Sequence, residues 1–161
     1  GFRYDSSIFP VRHDRYGVVD APRTPFIVEG HERSMLELPP ATLRLFGQNL
    51  PVAGGGYFRL FPPFLMRAGI RQLPSAMLYF HPWEFDADQP KLPLKKLSRW
   101  RTYVGIHKTT RRLDDLMKRF TFCRAIDLVQ RLELRRDELP RFGLANGNKS
   151  VESPHLANVR E

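Results

Sequence analysis

One histidine stands out by its surroundings. His81 follows the apolar run Ala76-Met77-Leu78-Tyr79-Phe80 and precedes Pro82-Trp83-Glu84. A continuous apolar run of this length reads as a buried strand. That puts the imidazole at a strand's C-terminal end, the edge where α/β enzymes carry catalytic groups. An imidazole can donate or accept a proton near neutrality. Pro82 restrains the backbone beside it, Trp83 offers a flat wall, and Glu84 and Asp86 are acids close in sequence. The competing reading is a histidine that only satisfies a hydrogen bond at a strand end.

Asp5, in Tyr4-Asp5-Ser6-Ser7, is a second candidate. A carboxylate among apolar neighbours needs an arginine, a metal or backbone amides. Structural capping by Asp or Ser is the commoner use of such a pattern. The run Gly54-Gly55-Gly56-Tyr57-Phe58-Arg59 has too little of a phosphate loop, since no Lys-Ser or Lys-Thr pair follows it. Close backbone packing, or close approach of a bulky ligand, fits it better. Its aromatic rings could stack on sugar faces, with core packing as the default. The histidine–acid pairs His13-Asp14, His31-Glu32 and His81 with Glu84, together with His107, are dispersed and form no HxxxH or HExxH spacing, so no metal ligand is assigned within the chain. Cys123 is the sole cysteine, which excludes an internal disulfide and a Cys-rich zinc site, and it has no base near it in sequence.

The elements that must hold these groups follow from proline and periodicity. Twelve of the 14 prolines precede residue 94, so the first half is built of short strands and fixed turns. Residues 1–30 read as a short extended segment followed by a long loop. Met35–Leu38 reads as a strand stopped by Pro39-Pro40, and 42–46 as a strand or a single helical turn. Pro62-Pro63 suits the first turn of a helix continued by Phe64, Leu65, Ala68 and Arg71. Residues 86–96 read as a polar loop. The clearest helix covers 109–120, capped by Thr109 or Thr110, with Leu113, Leu116, Met117 and Phe120 on one face. A second helical stretch runs over 125–139 and stops at Pro140. Strands alternating with helical segments give an α/β chain. Its expected organisation is a body over 1–90, a basic helical extension over 91–141 and a flexible tail over 142–161. Gly1 starts the sequence without a methionine or a signal peptide, and the first residues read as folded interior, so their partners are expected upstream.

The 161 residues carry 26 basic and 17 acidic side chains, a net charge of +9. Residues 1–90 hold 9 of each, whereas 91–141 hold 15 basic and 6 acidic. A field this concentrated attracts polyanions, or is simply a solvated helical face. No RNP, KH or zinc-finger pattern appears, so nucleic acid is not expected. No apolar run reaches the roughly 20 residues a bilayer requires.

The motifs reach further than composition. The opening Gly-Phe-Arg-Tyr-Asp-Ser-Ser-Ile-Phe-Pro and His13-Asp14-Arg15-Tyr16-Gly17 resemble the second half of NodB-type polysaccharide deacetylases, in the branch associated with exosortase and exopolysaccharide clusters. Gly54–Leu60, Tyr79–Asp86 and Leu97–Tyr103 carry the same resemblance, which ends near residue 122. It implies the C-terminal part of a deformed (β/α) barrel with a divalent metal, zinc by preference. In that family metal-bound water attacks the acetamide of an N-acetylated poly- or oligosaccharide. By the resemblance His81 is the general acid that protonates the leaving amine, and Asp5 belongs to a pocket-shaping motif that pairs with an upstream arginine. Trp83, Tyr57 and Arg59 fall to substrate binding. The motifs that supply metal ligands and base would precede Gly1, so the isolated chain is expected to be inactive. A bacterial cytoplasm or cell envelope is implied as its location. The alternative is a non-catalytic basic module that binds polyanions.

Overall fold

Phe26-Ile27-Val28 is a run of aromatic and β-branched side chains, all buried, and it forms the middle of a sheet. The computed structural model describes residues 1–13, 17–30, 32–143 and 151–152. They divide between two compact units, one drawn from Gly1–Pro39 and Arg124–Glu161, the other from Pro40–Cys123.

The first unit is a five-stranded mixed sheet in the order β1-β3-β2-β6-β7. Strand β2 (Phe26–Glu29) runs antiparallel to β3 (Ser34–Glu37), with Phe26 opposite Glu37 and Val28 opposite Met35. Strand β1 (Tyr4–Asp5) lies parallel to β3, with Asp5 opposite Glu37. Helix α5 (Ala125–Glu133) starts where the Asp127 carboxylate accepts the Arg124 N–H, an acid placed at the positive end of the helix dipole. A 3-10 turn at Arg136–Glu138 follows, and the Pro140 carbonyl accepts the Ile27 N–H at 2.8 Å. Strand β6 (Arg141–Gly143) then pairs parallel to β2, and β7 (Val151–Glu152) closes antiparallel on β6. Phe142 is buried with Ala21, Phe26 and Val28, its ring edge-on to Phe26 at 5.7 Å.

Two expectations change here. The long loop expected within residues 1–30 contains β2. The tail expected from 142 onward begins instead with a core phenylalanine in a strand. The apolar signal is three residues in β2 and a single phenylalanine at 142, too short for periodicity to register. Residues 144–150 and 153–161 of that tail, with 14–16 and 31, lie outside the described residues.

In the second unit β4 (Thr42–Leu45) and β5 (Gln48–Pro51) form a hairpin. Its turn residues Phe46 and Gly47 both have positive φ, 46° and 76°, as a type I′ connection requires. Helices α1 (Gly55–Leu60) and α2 (Pro63–Arg71) follow, with Pro63 at the first position of α2. Met66 and Ile70 form the buried side of α2, which packs on β4. Gln72 fastens the end of α2 to β4, accepting the Arg44 N–H and donating to the Arg44 carbonyl. Helix α3 (Lys96–Tyr103) lies within the stretch expected to be a basic helical extension, and it has no buried residue. Helix α4 (Thr109–Arg119) matches the expected span but not the expected cap: a 3-10 turn at Ile106–Lys108 leads straight into it and Thr109 is buried inside it. Leu116 is buried on its inner face, whereas Met117 is exposed.

Ala76–Phe80 is not a buried strand. The segment makes one isolated bridge, Pro40 to Met77, and one further backbone bond, from the Tyr79 N–H to the Ala53 carbonyl. Pro39-Pro40 offer no N–H on the neighbouring segment, so a ladder cannot propagate. Nor does the chain part at residue 90, since the basic stretch 91–141 is shared between the units at 123–124. Both sheets are small and open among the described residues.

Candidate active site

The site of the second unit begins with close backbone packing. A Cβ on Gly54 would stand 2.0 Å from the Tyr79 carbonyl oxygen, so only glycine lets α1 start against this segment. Gly105, at φ +65°, turns the chain past the Arg59 backbone in a conformation that disfavours side chains. These contacts deliver Arg59, from α1, beneath the loop that carries His81.

Pro82 opens a 3-10 turn, Pro82–Phe85, and the side chain of Glu84 reaches back to the residue before it. Glu84 Oε1 accepts the backbone N–H of His81 at 3.1 Å and lies 3.1 Å from the Nδ1 of the same ring. Glu84 is fully buried, while the His81 side chain is 58% exposed. Glu84 Oε2 accepts no hydrogen bond among the described residues and lies 3.7 Å from Arg59 Nε. Arg59 is 2% exposed and donates to the carbonyls of Gly55 at 3.2 Å and Thr102 at 2.9 Å. Burial pulls its affinity for a proton down and Glu84 opposes that. Each buried charge is thus the other's counter-ion, which is the condition for tolerating either.

Aromatic rings surround the imidazole. Trp83 stacks on His81 with centroids 5.9 Å apart, and Tyr79 meets it edge-on at 6.1 Å. The Arg59 guanidinium sits over the Trp83 ring, 5.3 Å from its centre. Burial, then Glu84, then Tyr57 push the Tyr79 hydroxyl above the ordinary tyrosine range. Tyr57 is half-buried on α1 and packs on Phe61.

The structure therefore brings His81, Trp83 and Arg59 together, with Tyr57 beside Tyr79. Arg59 corrects an expectation: a guanidinium this buried and this committed to carbonyls and Glu84 does not reach a substrate. Glu84 is the residue whose part sequence reasoning missed. Its signal was the acid three residues after a helix-initiating position, the spacing of a capping box.

Asp5 belongs to the other unit. The Ser7 hydroxyl donates to its Oδ2, and its backbone carbonyl accepts the Leu38 N–H at 2.9 Å. Glu37, its partner in register, is fully buried, and Glu37 Oε1 accepts the Ile8 N–H at 2.9 Å. Burial pushes the Glu37 carboxyl up to about 7; Asp5 adds to this, and the amides of Ile8 and Ser7 oppose it.

Among the described residues no three His, Cys, Asp or Glu side chains stand together as a metal site. The described residues therefore offer no ligand set for the divalent metal implied by the resemblance. No helix among the described residues is long and apolar enough to cross a membrane.

The fold and site define a mixed α/β chain in which a buried arginine–glutamate pair backs an exposed, ring-flanked histidine. Residues 6–130 match the family described as "Domain of unknown function (DUF3473)", and the chain belongs to that family. The matched span includes Tyr57, Arg59, His81, Trp83 and Glu84 and starts one residue after Asp5. No curated protein and no solved structure matches the chain.

Proposed function

We propose that this chain is the C-terminal part of a NodB-type barrel in a polysaccharide deacetylase, and that His81 is its proton donor. The family is known as the C-terminal part of such enzymes, which supports the reading. The observation that carries it is the exposed His81 imidazole set between the Tyr79 and Trp83 rings. Deacetylation of an amino sugar must expel a basic amine, and a positioned imidazolium can protonate that nitrogen as its bond to the acetyl carbon breaks. Trp83 is 38% exposed, and its open part is the surface taken to meet a sugar ring. Tyr57, half-buried on α1, is taken as a further substrate-binding ring. A divalent metal, the water it activates and the general base belong to residues other than those described.

The test is acetate release from an N-acetylated oligosaccharide by the whole protein that carries this chain. Wild type should release acetate, and His81→Ala should lower kcat by about 10²–10⁴-fold with little change in KM. Unchanged turnover removes His81 from the mechanism.

One observation favours a second reading, a polyanion-binding module. Lys91, Lys95, Lys96, Arg99, Arg101, Lys108 and Arg111 have no carboxylate partner among the described residues, and no acid lies between Asp88 and Asp114. Retention on heparin that falls steeply with salt, without acetate release, would favour it.

A further inference from the structure

The His81 ring has one nitrogen committed. Its Nδ1 is 3.1 Å from Oε1 of a fully buried glutamate, and an ionised carboxylate only accepts hydrogen bonds. The proton of a neutral His81 must then sit on Nδ1, leaving Nε2 as the nitrogen outside that contact on a side chain that is 58% exposed. We propose that Glu84 is the positioning residue for His81 and that Arg59, as its buried counter-charge, holds Glu84 in place to do so.

Three features distinguish this from a capped turn. A turn needs only one carboxylate oxygen on the His81 N–H, yet the same Oε1 also meets the ring. The second oxygen is buried without a hydrogen bond and faces Arg59, an arrangement that capping does not require. Arg59 in turn is fixed by the carbonyls of Gly55 and Thr102, so the pair is anchored to two separate segments of the unit. Catalytic rings are commonly oriented in this way by a carboxylate on the far nitrogen.

The consequence for the reaction rests on the deacetylase reading. In the imidazolium, Nε2–H points to the departing nitrogen. As the bond between the acetyl carbon and the sugar nitrogen breaks, the Nε2–H bond breaks and its proton passes to that nitrogen. The ring stays behind as the neutral Nδ1–H form, already bonded to Glu84, so it neither turns nor changes tautomer.

Two measurements test this. In histidine-labelled whole protein, with His81 assigned by its loss in His81→Gln, the carbon and nitrogen shifts of the neutral ring should report Nδ1–H. An Nε2–H ring overturns the proposal whatever reaction the protein catalyses. In the acetate assay, Glu84→Gln should lower kcat about 10- to 100-fold with KM nearly unchanged. Placed in a His81→Ala background, it should cost nothing further, because Glu84 acts only through that ring. Equal losses in both backgrounds make its role structural and refute the proposal. The apolar pair Arg59→Met with Glu84→Leu is the folding control: its melting temperature should recover relative to Glu84→Leu alone while turnover does not. Recovery of both together contradicts the proposal. If His81→Ala keeps full turnover, the deacetylase reading falls, and the tautomer measurement still decides Glu84.

Discussion

Glu37→Gln should stabilise the protein, and only above mildly acidic pH. Glu37 is fully buried on β3, and Asp5 lies opposite it on β1. Its carboxyl is pushed from 4.5 up to about 7 by burial first and Asp5 after that. Because the folded-state value is raised, the folded chain holds this proton over a range where the unfolded chain has lost it. The stabilisation linked to that proton is therefore complete below about pH 4.5 and is lost as pH rises through about 7. A shift from 4.5 to about 7 corresponds to about 3 kcal/mol between those limits. Gln keeps an acceptor for the Ile8 N–H, matches the shape and never ionises, so it escapes the loss. Urea unfolding followed by far-ultraviolet circular dichroism, run from pH 4.5 to 8 on both proteins, measures it. The two stabilities should be within about 1 kcal/mol at pH 4.5 and separate to about 3 kcal/mol in favour of the variant at pH 8. A constant difference across that range would refute the reasoning, because it would mean that Glu37 is not a proton-linked group in the fold.

Gly54→Ala should destabilise by about 1–3 kcal/mol or more, since its Cβ would stand 2.0 Å from the Tyr79 carbonyl oxygen; thermal unfolding measures it. Arg112→Met should cost about 1.5–3 kcal/mol, because the Arg112 guanidinium donates to the carbonyls of Phe58 at 2.6 Å and Phe61 at 2.8 Å at the end of α1. Urea midpoints compare the two proteins, and an unchanged midpoint contradicts the assignment.

The parts of this fold that were legible in the sequence are those where a local rule is strong. The spacing of Leu113 and Leu116, with Asp114 and Asp115 facing Lys118 and Arg119, marks α4 without tertiary help. Pro63 marks the start of α2, and Met35–Leu38 overlaps β3. The failures are non-local. Ala76–Phe80 has strand composition, but whether it pairs depends on the prolines of the segment beside it. Phe142 reads as the start of a polar tail until β2 supplies its partner more than 110 residues earlier. At the site, the sequence set Trp83 beside His81, and the two rings do stack, whereas the strand expected to carry the imidazole does not form. Arg59 falls to substrate binding by the resemblance, whereas its burial depends on Thr102 and Glu84, far away in sequence. The basic excess was legible as charge but not as pairing. Beyond residue 111 Lys118, Arg119, Arg124, Arg135 and Arg136 meet acids three or four residues away, and the stretch before that has none.

The most direct test of His81 as proton donor varies the leaving group. Whole protein and its His81→Ala variant are compared on an N-acetylated sugar, whose amine needs a proton to depart, and on an activated acetanilide, whose amine needs far less help. The proposed role predicts a loss of about 100-fold or more on the sugar and a much smaller loss on the anilide. The same loss on both substrates would contradict it.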